Sequence, residues 1–384
     1  MVTTETIAER PTISVIIPAR NEEASLADCL QSLVSQSGVD FEIIVVDDHS
    51  TDRTRAIAES FPGVRVLEAG PLPAGWTGKN NAVTCGARQA RGEWLLFTDA
   101  DTVHLPGSLA AALKEAQENG AELLSYSPEQ IAVTFWEMAT LPVVFAELAR
   151  QYSPSKVSDP ASPLAAANGQ YILIRRETYD AVGGHAAIAG DILEDVALAR
   201  AVKHSGRKIR FRYAADRVRT RMYRNYRQLR DGWTKNLALL FPNPGWLAVK
   251  TMLWWGLGWG ILFGPLFMLL GAVLTDRVAS LGRLNNIFVA LAGVVKHWWW
   301  AVTLIPTFGR NLARLRRANF DLAMEWLGAL FGMPMFAYLL LRSKRAHANG
   351  SVSWKGRTYG PKNVPEDAHA KLRSQTPTPA GRLS

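Results

Sequence analysis

The stretch that most constrains this chain is Trp94-Leu95-Leu96-Phe97-Thr98-Asp99-Ala100-Asp101, a short apolar run that ends abruptly in two carboxylates. Such a run reads as a buried strand of a parallel sheet, and sheets of this kind bind ligands beyond the carboxyl ends of their strands. Asp99 and Asp101 are therefore expected at a ligand crevice. In an extended backbone, residues two apart share a face, so the two carboxylates are placed to converge on a hard cation or on ligand hydroxyls. The competing reading is helix capping, since a helix is expected to begin near Leu105 to Leu109.

The residues before this run alternate strand and helix. Ile13 to Pro18 reads as a first buried strand, followed by a helix with Leu26, Leu30 and Leu33 on its apolar positions. Phe41 to Val46 is a second strand that stops at Asp47-Asp48-His49-Ser50-Thr51-Asp52, with a helix from Arg53 to Ser60 and a third strand at Val64 to Leu67. Gly70 to Ala82 has the Pro and Gly content of a loop and leads into a helix from about Asn81 to Gln89. This alternation predicts an α/β domain with a mostly parallel sheet. Asp47 and Asp48 either accept hydrogen bonds from a ligand or cap the helix after Asp52. Lys79, flanked by glycine, is either a partner for phosphate or a solvated side chain. No Gly-x-Gly-x-x-Gly follows an early strand and no Walker-type loop occurs, which argues against dinucleotide oxidoreductases and P-loop nucleotidases.

Net charge is +9, but the basic residues concentrate in 203–230, 310–317 and 342–357, beside or between apolar segments. That placement favours anionic lipid headgroups over nucleic acid. Cys29 and Cys85 have no metal-ligand spacing and read as two small buried thiols on helices facing a reducing compartment. The polar, acidic start, Met1 to Arg10, lacks the apolar core of a signal peptide.

Further on, Phe135 to Leu148 reads as an apolar helix, and Asn168-Gly169-Gln170 as a polar turn feeding a strand. Glu194 and Asp195 open a helix, where the macrodipole alone favours carboxylates. Tyr223 to Leu240 mixes aromatic and basic residues and is expected to lie among lipid headgroups with its rings at the interface. Thr251 to Thr275 is uncharged and long enough for a membrane span; Leu284 to Gly309 holds Lys296 and His297 at its middle, and Leu322 to Leu341 contains Glu325 and Pro334. Three full crossings would put the basic tail, Trp354 to Tyr359, opposite the first domain, so one stretch is expected to be re-entrant or interfacial. The last 20 residues are rich in Pro, Ser and Thr and read as disordered.

Taken in order, Pro18-Ala19-Arg20-Asn21-Glu22, Val45-Val46-Asp47-Asp48, Lys79-Asn80-Asn81-Ala82 and Thr98-Asp99-Ala100-Asp101 resemble the successive motifs of family 2 glycosyltransferases. The resemblance continues through Ala167 to Gln170, Leu193-Glu194-Asp195-Val196 and Gly232 to Asn236. Pro73 to Lys79 and Trp354-Lys355-Gly356-Arg357-Thr358-Tyr359 are similar to membrane-bound members associated with hopanoid and carotenoid glycosylation. The resemblance implies a GT-A-type nucleotide-sugar-binding domain at 11–240, after a tail at 1–10. Membrane helices at 245–345 and a basic, then disordered, tail at 346–384 would follow.

It implies Pro18, Arg20, Glu22, Asp47, Asp48, Lys79 and Asp99 around the donor, with Asp99 and Asp101 holding Mg2+ or Mn2+. Asn168, Gly169, Gln170 and Trp233 would face the sugar and acceptor. Asp195 would act as the base of an inverting transfer, oriented by Glu194, with His185 and His204 ranked below it. The expected partners are a nucleotide-diphosphate sugar, a lipidic acceptor and the membrane, without nucleic acid, and the catalytic domain would face the cytoplasm of a multi-pass protein. Two rivals are a glycan-chain synthase, disfavoured because Gln228 is followed by Leu229-Arg230-Asp231 and not by the Gln-x-x-Arg-Trp element, and an inactive sugar-nucleotide-binding membrane protein.

Overall fold

The computed structural model describes residues 10–256, 259, 320 and 322–359. The apolar runs become strands β1 (Ile13–Ala19), β2 (Phe41–Asp47), β3 (Val64–Glu68) and β4 (Trp94–Phe97). With β6 (Leu123–Ser127), β8 (Ile172–Arg175) and β9 (Ile209–Tyr213) they form a seven-stranded sheet in the order β3-β2-β1-β4-β8-β6-β9. Only β8 runs against its two neighbours, so the sheet is mostly parallel, as expected.

Strand periodicity explains why the runs lack polar alternation. Val15 and Ile17 of β1, Ile43 and Val45 of β2 and Leu96 of β4 enter one core with Leu26, Leu30 and Leu33 of helix α1 (Leu26–Val34). Their neighbours Ile16, Ile44, Val46, Leu95 and Phe97 enter another core on the opposite face. A sheet covered on both sides needs apolar residues at every position. Helix α2 (Thr54–Glu59) lies beside α1, and α3 (Gly78–Gln89) crosses the second face.

The turn after β4 differs from expectation. Residues 98–101 leave the extended conformation: the Thr102 amide donates to the Asp99 carbonyl at 3.2 Å, and the chain continues as the short strand β5 (Thr102–His104). A tight turn thus brings the carboxylates together, in place of same-face pleating. No helix starts there, since α4 begins only at Ser108 (Ser108–Glu118), and capping is ruled out for Asp99 and Asp101. Strand β5 pairs with β10 (Val218–Thr220), which also carries β7 (Glu129–Gln130), forming a second sheet of three strands.

Helix α5 (Phe135–Gln151) starts with a capping box in which Thr134 accepts from the Glu137 amide and Glu137 reaches back to the Thr134 amide. Short helices α6 (Pro154–Ser158) and α7 (Arg176–Ala181), then α8 (Glu194–His204), lead to α9 (Tyr226–Leu240). Two further elements, α10 (Leu322–Leu327) and α11 (Met333–Ala348), are joined through a π-helical turn at Gly328–Gly332. Helix α11 packs along α9. The Ser343 hydroxyl donates to the Thr234 carbonyl at 2.6 Å and accepts from the Ala238 amide at 2.8 Å, entering the hydrogen-bond ladder of α9.

This packing corrects the interfacial reading of 223–240. Tyr223 and Trp233 are 3% and 2% exposed and meet each other, and Trp233 meets Phe145, inside the protein; they do not form an aromatic edge. Among the described residues, one helix, Ala323–Ala348, is long and apolar enough to cross a membrane by length and composition. The stretch 284–309, with Lys296 and His297, and most of 251–275 lie outside the described residues. A hairpin of β11 (Val352–Trp354) and β12 (Arg357–Tyr359) follows α11 and sits against the first domain. The basic tail is therefore on the same side as that domain.

Candidate active site

At the carboxyl ends of β1, β2 and β4 the chain encloses a cavity of about 1040 Å³. Of the residues singled out in the sequence, Pro18, Arg20, Glu22, Asp48, Lys79, Asp99, Asp101, Asn168, Gly169, Gln170, Glu194, Asp195 and Trp233 all line it. Asp47 does not. Its carboxylate accepts from the Ser50 amide at 3.2 Å, a turn-closing role, while Asp52 receives the Thr54 amide at 3.0 Å ahead of α2. The two readings weighed for the acidic cluster thus divide among its members. Asp48 alone turns its carboxylate to the cavity.

Lys79 occupies the first turn of α3 in place of the expected loop, because Thr77 caps that helix by accepting from the Asn80 amide at 3.2 Å. From there its ammonium bridges Asp99 at 2.7 Å and Glu194 at 2.6 Å. Burial opposes the charge, but the two carboxylates outweigh it and hold the Lys79 pKa well above the usual lysine range. The same ion pair keeps Glu194 below the ordinary carboxylate range despite its burial. Lys79 therefore couples the turn after β4 to the start of α8, two motifs almost one hundred residues apart in sequence.

Asp195 is held differently. One oxygen accepts from the Gly169 amide at 3.0 Å and the other from the Val196 amide at 2.8 Å, with no cation of the described residues in direct contact. Burial first, and then the neighbouring Glu194 charge, push its pKa up to about 6. Gly169 packs closely here: an added Cβ would lie 3.1 Å from the Lys79 ammonium and 3.3 Å from Glu194, so those side chains would have to shift slightly. Asn168 closes this turn by accepting from the Gln170 amide at 3.0 Å. Gln170 is a buried strut that donates to the Thr220 hydroxyl at 3.2 Å. The turn-forming reading thus accounts for their contacts.

His185 and His204 stand outside the cavity lining. The His185 ring lies 3.1 Å from the Tyr179 hydroxyl, and burial lowers its pKa to about 4. His204 is exposed at the end of α8. Cys29 is buried, whereas Cys85 is only half-buried, contrary to expectation.

Asp101 carries the site's clearest unsatisfied group. Its Oδ1 is buried with no hydrogen-bond partner among the described residues, and burial together with the charges of Asp99 and Glu22 pushes its pKa up to about 7. Mutually repelling carboxylates with an orphaned oxygen fit a divalent cation. Among the described residues there is no cluster of three or more His, Cys, Asp or Glu side chains arranged for a metal. Two carboxylates with substrate phosphates are nevertheless a common magnesium environment.

Sequence reasoning missed Asn80 and Lys235. The Asn80 amide donates to the carbonyls of Ile188, Ala189 and Asp191 at 2.9, 3.0 and 3.1 Å, pinning the loop before α8 to α3. Lys235 lines the cavity from α9, where burial lowers its pKa. Both lie inside motifs of the family resemblance, Lys79 to Ala82 and Gly232 to Asn236, but their roles depend on contacts that only the fold brings about.

Apolar side chains of one core cluster, Phe145, Leu148, Tyr152, Phe211 and Leu240, line the same cavity as the carboxylates. Carboxylates placed this way suit the hydroxyls and cation-bound phosphates of a nucleotide sugar, and the site with the matches that follow supports a glycosyltransferase that uses a nucleotide-sugar donor. Residues 14–183 match the sequence model for Glycosyl transferase family 2.

One relative, 4,4'-diaponeurosporenoate glycosyltransferase of Staphylococcus aureus strain MRSA252, is 29% identical over 287 residues, covering 72% of this chain and 73% of that protein. The corresponding protein of strain USA300 is 29% identical over 270 residues, covering 68% and 69%. Among solved structures, the mannosyltransferase PcManGT from Pyrobaculum calidifontis in complex with GDP-Man and Mn2+ has a TM-score of 0.48 at 18% identity, covering 88% of this chain and 87% of that one.

Proposed function

We propose that this enzyme transfers a sugar, with inversion, from a nucleotide-diphosphate donor to a hydroxyl or carboxyl group of an apolar, lipidic acceptor at a membrane surface. The observation that carries this reading is the mixed lining of the cavity: Asp48, Asp99 and Asp101 together with Phe145, Leu148, Tyr152 and Leu240, with Asp195 lining the same space. Asp195 is within electrostatic reach of both Lys79 and Tyr152.

In this mechanism Asp48 accepts hydrogen bonds from the nucleoside. Asp195 takes the proton of an acceptor hydroxyl as the oxygen bonds to the anomeric carbon, and the bond from that carbon to the diphosphate breaks with its electron pair leaving on oxygen. A carboxylate acceptor attacks without a proton to lose. Glu194, held by Lys79, keeps the start of α8 in register with Gly169. Asp99 and Asp101 would hold Mg2+ or Mn2+, which supplies charge compensation for the departing nucleoside diphosphate.

Two features support the lipidic acceptor and membrane association. The relatives above are named for glycosylating 4,4'-diaponeurosporenoate. Phe331, Phe135 and Trp136 are 50%, 42% and 38% exposed and form a row of ring contacts that continues to Tyr226, beside the exposed Arg224 and Arg227. Aromatic rings next to arginines suit a headgroup layer. We assign the interfacial role to this row, replacing the buried Tyr223 and Trp233. The first domain, 11–240, and the helices of 245–345 would then work as one unit with the catalytic face on the cytoplasmic side.

The test is to incubate the full chain in lipid with a panel of UDP- and GDP-sugars and apolar hydroxyl or carboxyl acceptors, followed by mass analysis. A single hexose added to a lipidic acceptor is expected. Long glycans, or transfer confined to water-soluble acceptors, would remove the proposal.

A further inference from the structure

We propose that the C-terminal hairpin is part of the donor site, with Lys355 and Arg357 gripping the donor's diphosphate. This rests on the nucleotide-sugar reading of the cavity and adds a contact made by a segment some 170 residues beyond the matched family domain.

The hairpin is built for placement. Trp354 pairs with Arg357, leaving Lys355 and Gly356 as a two-residue turn with φ of 46° and 76°. Positive φ at both positions is what a type I′ turn demands; glycine adopts it freely, whereas Lys355 must be held there. The holding contacts come from the donor wall. Arg20 donates to the Lys355 carbonyl at 3.1 Å and also to the Asp48 carbonyl at 2.6 Å, and the Lys355 ammonium pairs with Glu22. Residues 353–358 line the same cavity as Asp99 and Asp101.

Arg357 forms a two-pronged pair with Asp48, its Nη2 lying 2.8 Å from Oδ1 and its Nη1 on Oδ2. It reaches that carboxylate across Gly78, the first residue of α3, where an added methyl group would collide with the guanidinium. The absent side chain at Gly78 gives Arg357 its path. On the other side of the turn, the Lys355 charge acts on Asp101. The hairpin cations therefore stand between Asp48, assigned to the nucleoside, and the Asp99 and Asp101 pair, assigned to the cation. In a nucleotide sugar, the group that joins those two ends is the diphosphate. An arginine fork and a lysine are suited to it, since both donate charge-assisted hydrogen bonds to phosphate oxygens.

The experiment is calorimetric titration of the full chain in lipid nanodiscs with uridine, UMP and UDP and with the guanosine series. The proteins compared are wild type, Arg357→Gln, Arg357→Lys and Lys355→Gln. A charge-assisted contact to phosphate is worth roughly 10- to 100-fold in affinity, so Arg357→Gln should weaken the better-bound diphosphate by that order and leave the nucleoside within about threefold. Arg357→Lys, which keeps the charge without the fork, should fall between. If uridine or guanosine lost affinity as much as its diphosphate, the hairpin would be only a staple for the C-terminus. If Arg357→Gln bound the diphosphate more tightly, the hairpin would be a plug that the donor displaces. Either outcome overturns the proposal. Wild-type protein binding neither series would overturn the nucleotide-sugar reading as well.

Discussion

Asp195→Asn should lower kcat by about 10²–10⁴-fold towards a hydroxyl acceptor while donor affinity stays near the wild-type value. In the proposed mechanism the carboxylate takes its proton only as the acceptor attacks, whereas the donor would be held by Asp48, Lys79 and the acidic turn. Asparagine keeps one acceptor oxygen for the Gly169 or the Val196 amide and sets its NH2 against the other, so a modest fall in melting temperature is expected alongside the loss of turnover. The pH profile gives a second reading of the same group. A base must be ionised, and burial with the Glu194 charge pushes the Asp195 pKa up to about 6, so kcat/KM should fall as pH drops through that value and level off above it. The acid limb should vanish in Asp195→Asn. Glu194→Gln should be milder in kcat but should lower the melting temperature, because it leaves Lys79 with Asp99 alone. Near-normal turnover with lowered stability in Asp195→Asn would make this residue a helix-start carboxylate and nothing more.

The second large effect is expected at Asp101. Asp101→Asn should reduce transfer by about 10²–10³-fold, the order associated with losing one preorganised electrostatic group, and should weaken Mn2+ binding followed by paramagnetic resonance in the absence of donor turnover. Its buried Oδ1 has no hydrogen-bond partner among the described residues and it faces the charges of Asp99 and Glu22, so in cation-free buffer the variant should melt no lower than wild type. Loss of cation binding without loss of stability is the signature of a ligand carboxylate. Unchanged Mn2+ affinity and unchanged turnover would assign the orphaned oxygen no role in cation binding.

Much of this arrangement was legible in sequence because it depends on runs and their ends. Continuous apolar runs at Ile13, Phe41 and Trp94 indicate a sheet covered on both faces, and the carboxylates that follow them fall where parallel strands present ligands. What a run cannot encode is the conformation just past its last residue. Spacing alone puts Asp99 and Asp101 on one face of an extended strand, whereas the structure places them in the turn that closes at Thr102. Asp47 and Asp48 look alike in sequence, but one serves its own turn and the other meets a cation more than 300 residues downstream.

Long-range pairs of this kind leave no periodic trace, which is why Arg357 on Asp48 and Asn80 on the Ile188 to Asp191 loop were invisible. The aromatic residues of 223–240 show the opposite failure. Rings among arginines match a membrane edge by composition, but α11 covers that face of α9 through Ser343, and Phe135 and Trp136 of α5 and Phe331 before α11 are exposed in place of Tyr223 and Trp233.

Asp195 as the single base implies one displacement at the anomeric carbon. The most direct measurement is the configuration of the product, read by NMR from the anomeric coupling of the glycosylated acceptor made with an α-linked nucleotide sugar and collected before equilibration. Inversion to the β-glycoside is the predicted result; a product that retains the α configuration would contradict the single-displacement mechanism and the role given to Asp195.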